Sequence, residues 1–144
     1  MDKLESLVNS WVRFSLVLRN EKLVSTLTYN ETVICGMINK NGNEMQFKNL
    51  SKIMNMSKSL LTRSLNDLEK RGIVVKYNKD ENHKNIYISL TPNGRETYLK
   101  EHEHALMIAK KIEAISEGKI DIVIDTFNRI SDSIDIILDE GEKR

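Results

Sequence analysis

The chain has 144 residues, with 40% apolar and 30% charged side chains, enough for one domain with its own core and too few for two independent ones. It contains no run of about eighteen apolar residues that could cross a bilayer, and its single cysteine excludes an internal disulfide and the paired-cysteine zinc and redox arrangements. The opening MDKLESLVNSWVRF lacks the basic start, apolar block and small-residue cleavage site of a secretory signal, so the chain is expected in the cytoplasm. The net charge of +1 conceals an uneven distribution: residues 48–84 hold nine basic and four acidic groups, residues 112–144 four and nine. A basic middle suits a phosphate-bearing partner, although solvated charge also clusters by chance.

Leu4, Leu7, Val8, Trp11, Phe14 and Leu18 recur at helical spacing and predict a first helix over about 2–20. Thr28 and Glu31 have capping-box spacing, in which hydroxyl and carboxylate each satisfy an orphan N–H at a helix start. The helix they open puts Glu31, Ile34, Cys35 and Ile38 along one side and stops at Asn41-Gly42. On that inward stripe the Cys35 thiol is expected to act as a small apolar group. A short third helix around Gln46 to Met54 is expected to carry Leu50 and Ile53 inward. After the break Asn55-Met56-Ser57, Ser57 caps a fourth helix with Leu61, Leu65 and Leu68 on one face, ending at Arg71-Gly72.

The period then changes. Ile73 to Tyr77 is rich in β-branched residues and Ile86 to Leu90 alternates, so two strands are predicted, joined through the polar tip NKDENHKN. Thr91-Pro92 opens a long helix to about Glu117, with proline at the first helical position, where its missing N–H costs nothing. Tyr98, Leu99, Leu106, Ala109, Ile112 and Ile115 form its stripe. After Gly118, a last helix shows Ile120, Val123, Ile124, Phe127, Ile130, Ile134, Ile137 and Leu138 near a 3-4 spacing. Together with the first helix, these faces exceed what a small domain can cover, which predicts a homodimer. An intramolecular hairpin of helices is the alternative.

The resulting fold class is mostly α with a small β-hairpin wing. It is a winged helix-turn-helix lobe, about 28–91, between dimerisation helices at about 2–20 and 92–140, in one domain over 1–144. The fourth helix would be the recognition helix, because Lys58, Ser59, Thr62, Arg63 and Asn66 lie opposite its leucines. Arg63 could fork onto guanine O6 and N7 or onto a phosphate, Asn66 could reach adenine, and Lys58, Ser59 and Thr62 could fix the register on the backbone. A solvated helix face is the plainer reading of the same residues.

The stretch NLSKIMNMSKSLLTRSLNDLEKRGIVVKY resembles the helix-turn-helix of the MarR family. The residues that carry the resemblance are Leu50, Ser57, Ser59, Thr62-Arg63, Leu68-Glu69, Gly72-Ile73-Val74 and Lys76. They are joined by Leu90-Thr91-Pro92-Asn93-Gly94, where the family's wing strand ends in Leu-Thr-x-x-Gly. A first dimer helix, Leu27-Thr28 at the second helix and two terminal dimer helices extend the likeness over essentially the whole chain. The resemblance implies a homodimer that binds double-stranded DNA at a pseudo-palindromic operator, most often as a repressor and in many members relieved by a small phenolic effector. The family's wing usually carries Asp-x-Arg before Leu-Thr; here those positions are Asn82-His83-Lys84. Wing contacts would then fall to Lys84 and the nearby Lys79, which lack the planar fork of arginine.

Trp11, Arg13, Phe14 and Tyr29 could line an effector cleft, but aromatic residues at helical spacing are more often core. His102 and His104 are about 200° apart around a helix and cannot share a metal within one chain, so no metal or other cofactor is expected. The sequence carries no Gly-rich phosphate loop, His-Glu-x-x-His or serine nucleophile elbow, and an enzyme is not expected. The competing readings are a winged helix that docks another protein, which the basic middle disfavours, and a DNA-binding activator without ligand.

Overall fold

The computed structural model describes residues 2–20, 26–79 and 84–142. In chain order the elements are α1 (Lys3–Asn20), α2 (Tyr29–Lys40), β1 (Met45–Gln46), α3 (Phe47–Met54), α4 (Lys58–Lys70), β2 (Val74–Asn78), β3 (Ile86–Leu90), α5 (Pro92–Ile115) and α6 (Ile120–Glu142). The chain divides into two compact units, residues 1–104 and 105–144.

Local signals in the first unit act as their spacing predicts. Thr28 Oγ1 accepts from the Glu31 N–H at 3.2 Å and the Thr28 N–H donates to Glu31 Oε1 at 2.9 Å, which closes the capping box at the start of α2. Ser57 Oγ accepts from the Leu60 N–H at 3.2 Å and starts α4. The other end of α4 closes as a Schellman motif: Gly72 takes φ of 72°, its N–H donates to Glu69 O, and the Ile73 N–H donates to Leu68 O. Glycine adopts this left-handed conformation without Cβ strain.

The core of this unit joins Ile34, Cys35 and Ile38 of α2, Leu50 of α3, Leu61, Leu65 and Leu68 of α4, and Val74, Ile88 and Leu90 of the strands. Each fully buried leucine or isoleucine contributes roughly 1.5–3 kcal/mol relative to exposure. Phe47, Met54 and Met56 pack on its edge. Ile53 does not point inward as expected; it is 55% exposed. The buried stripe of this two-turn helix runs through Phe47, Leu50 and Met54, and at 100° per residue Ile53 falls to its flank.

The expected two-stranded hairpin is a three-stranded antiparallel sheet in the order β1-β3-β2. Met45 pairs with Ile88 and Gln46 with Tyr87, so Gln46 belongs to a strand and α3 begins one residue later than expected. The sheet and α2 are tied at Asn43, whose side chain accepts from the Leu90 N–H at 3.0 Å and donates to Leu90 O at 3.3 Å.

Thr91 explains the junction of wing and α5. Its hydroxyl donates to Gly72 O at 2.5 Å and accepts from the Gly94 N–H at 2.9 Å. Gly94 is required by space: a Cβ there would lie 1.9 Å from the Ile73 carbonyl oxygen. In the second unit, Glu117 and Gly118 take φ of 54° and 79° between α5 and α6. Ile122, Ile124, Ile130 and Ile134 of α6 are exposed, as are Leu4, Leu7 and Trp11 of α1.

Candidate nucleic-acid interface

Helix α4 is buried on one side and exposed on the other. Leu61, Leu65 and Leu68 are 0% exposed, whereas Lys58, Ser59, Thr62, Arg63 and Asn66 are all exposed. The first turn of the helix contains no acidic residue, so its positive dipole end and the Lys58 and Arg63 charges act in the same direction on an anion. Asp67 and Glu69 lie further along, and both are engaged by cations. Asp67 accepts from Arg71 Nη1 at 3.0 Å, and Glu69 lies 3.6 Å from Lys76 Nζ.

Arg71 also fixes the angle between α4 and the chain entering α2. Its Nη1 donates to Glu31 Oε2 at 2.7 Å and its Nη2 donates to Thr26 O. Thr26 is held a second time, by its hydroxyl donating to Glu101 Oε1 at 3.0 Å. Glu31 and Glu101 are both buried, and each has hydrogen-bond donors, as burial of a carboxylate requires. Thr26, Arg71, Ile73, Thr97, Lys100 and Glu101 line an open cavity of about 450 Å³.

At the base of the wing, Tyr77 and Tyr87 stack with ring centroids 6.0 Å apart. The Tyr77 hydroxyl lies 2.7 Å from Ser89 Oγ and donates to Glu44, and Gln46 Nε2 donates to the Tyr87 hydroxyl at 3.1 Å. Lys79 sits over the Tyr87 ring, 4.8 Å from its centroid, and is paired with Glu44. That lysine, followed by the Tyr77 hydroxyl, holds the Glu44 carboxyl below its ordinary value. Lys84 is exposed; Asn82 and His83 lie outside the described residues.

Residues 33–108 match a known family, the winged helix DNA-binding domain. The chain belongs to that family. The DNA-binding winged helix expected from the sequence is thereby borne out. No curated protein matches the chain. Among solved structures, the chain is similar to the PcaV transcriptional regulator from Streptomyces coelicolor, with a TM-score of 0.72 at 12% identity over 93% of this chain and 98% of that one. It is similar also to FabT from Streptococcus pneumoniae, solved in complex with DNA, with a TM-score of 0.66 at 22% identity over 93% and 94% of the two chains. NadR in complex with 4-hydroxyphenylacetate gives 0.68 at 20% identity over 90% and 92%. At these identities the likeness is one of fold, and the fold is that of the MarR-type regulators.

The structure brings Lys58, Ser59, Thr62, Arg63 and Asn66 onto one face of α4, while Lys79 is turned to Glu44 instead. Trp11, Arg13, Phe14 and Tyr29 are exposed, so the expectation that such aromatics are core does not hold within this chain. Among the described residues, none of the four lines the cavity at Arg71. Three residues of the interface had no assigned role: Glu44, which holds the wing lysine, and Lys76 and Glu69, which join β2 to α4. The only signal for Lys76 is its place as the basic residue closing the helix-turn-helix stretch.

Proposed function

We propose that the protein is a homodimeric transcriptional repressor, acting in the cytoplasm on a pseudo-palindromic duplex site, and not an enzyme. The observation that carries the proposal is the exposed face of α4, where Lys58, Ser59, Thr62, Arg63 and Asn66 stand opposite a fully buried leucine row at the acid-free end of a capped helix. In this reading the lobe of about residues 28–91 meets DNA, and the helices at about 2–20 and 92–140 pair with a second copy. Two recognition helices would enter successive major grooves about 34 Å apart. Lys84 would touch the backbone from the wing, and Lys79 would join it only on leaving Glu44. FabT, solved with DNA, supports the reading by likeness of fold.

Relief by a small aromatic acid belongs to the same reading, on the precedent of NadR with 4-hydroxyphenylacetate. The test is selection of bound DNA from a random duplex pool, followed by affinity against salt. A DNA interface loses affinity steeply as salt rises, whereas an apolar protein-docking surface hardly does. Arg63→Ala should cost about 1–3 kcal/mol, confined to sites that keep one base if Arg63 reads guanine and uniform if it holds a phosphate. Ile130→Asp with Ile134→Asp should abolish both the sedimenting dimer and DNA binding. A monomer that binds its site with full affinity would refute the assembly.

A further inference from the structure

The amide of Asn66 is not free to choose which of its ends faces the groove. Lys76, ten residues on and in strand β2, donates from Nζ to Asn66 Oδ1. An ammonium group can only donate, so the oxygen of the amide must face the strand, and its NH2 lies on the other side. Lys76 is itself held in place. Its Nζ lies 3.6 Å from Glu69 Oε1, its backbone N–H donates to Glu69 Oε2 at 3.2 Å, and its side chain is half-buried at 26% exposure. Glu69 and Asn66 are three apart on α4 and share one face of it. The strand therefore reaches the recognition helix through a chain of contacts, Glu69 to Lys76 to Asn66.

Asparagine reads adenine by two bonds at once: Oδ1 accepts from N6 and the NH2 donates to N7. Oδ1 keeps a second lone pair, but the charge-assisted bond from Lys76 holds it towards the strand, so the first of these two bonds is weakened and the NH2 is the end turned away from the strand. We infer that Lys76 is a positioning residue that sets the base preference of Asn66, leaving it an NH2 donor. Asn66 then takes any acceptor edge, guanine O6 or N7, thymine O4 or adenine N7, without the preference for adenine that the two-bond pairing would give. Cytosine, which offers an N4 donor in the major groove, is rejected. The inference rests on the reading of α4 as a recognition helix.

The experiment is selection from a random duplex pool with the full-length protein and its variants. The position read by Asn66 is the one whose preference Asn66→Ala removes. There the parent should deplete cytosine and show no preference for adenine over guanine or thymine. Lys76→Met keeps the apolar stem and frees Oδ1, so the ratio of adenine to guanine should rise about tenfold. Lys76→Arg, also a pure donor, should keep the parent preference. A merely structural or electrostatic role of Lys76 would change affinity at all sites and leave that ratio alone.

An unchanged ratio in Lys76→Met, an adenine preference already present in the parent, or no position altered by Asn66→Ala each overturns the inference while leaving sequence-specific binding intact. A parent that enriches no sequence refutes the recognition-helix reading itself, and the inference falls with it. Should Lys76→Met fail to fold by circular dichroism, Asn66→Asp retains the lysine contact and removes the NH2. The depletion of cytosine must then vanish, and its persistence overturns the inference.

Discussion

Glu31 uses one carboxylate oxygen to cap its own helix, at Thr28 N–H, and the other to hold Arg71, at the C-cap of α4, at 2.7 Å. One buried side chain thus joins the start of α2 to the end of α4. Glu31→Ala should remove a capping bond and leave the Arg71 guanidinium without the nearer of its two carboxylates, at a combined cost of about 2–4 kcal/mol. Urea unfolding measures it. A loss below about 0.5 kcal/mol would mean that water replaces both bonds at no cost.

Gly94 stands where the first turn of α5 passes the Ile73 carbonyl. Gly94→Ala would normally favour a helix, but the added methyl carbon would lie 1.9 Å from that oxygen. The junction must shift, and the variant should lose about 3 kcal/mol, the upper end of what overpacking usually costs. An unchanged or raised Tm would contradict the close approach.

The Glu44 carboxyl, lowered by Lys79 and Tyr77, makes the base of the wing sensitive to acid. A carboxylate with a depressed folded value stabilises the fold fully above its ordinary value of 4.5, and this stabilisation is lost as pH falls through the lowered folded value. The parent should therefore exceed Glu44→Gln in stability at neutral pH, and the difference should shrink only below that ordinary value. Unfolding curves across the acid range test it, and a constant difference would contradict the pairing.

Cys35 is fully buried, and its thiol is pushed up to about 12 by that burial, with the nearby Glu31 charge adding to the effect and Arg71 opposing it. The thiolate is the reactive form. Iodoacetamide at neutral pH should label the folded protein far more slowly than the urea-unfolded chain. Equal rates would show that the thiol is accessible and reactive in the folded chain, against its burial.

Much of the architecture can be read in short range. The Thr28 box, the Ser57 cap, the Arg71-Gly72 stop and the leucine row of α4 are set by residues within four positions of one another, because helix termini and faces follow from backbone geometry alone. Those signals are enough to locate α4 and its exposed side chains. The space around Gly94, by contrast, depends on where the Ile73 carbonyl arrives after the wing has folded back.

The same limit applies to β1, whose two residues have no periodicity of their own and become a strand only by pairing with β3. It applies also to the side chains that matter most at the interface. Lys79 lies 35 residues from Glu44 and Lys76 ten from Asn66, and which of them meet is settled by strand register, where a slip of one residue would turn every side chain to the other face. By itself the sequence determined which residues α4 exposes opposite its leucine row. Only the tertiary structure decided that the wing lysine is held by Glu44 and that Asn66 is oriented by Lys76, because the register of β2 and its packing against α4 bring together charges that are distant in the chain.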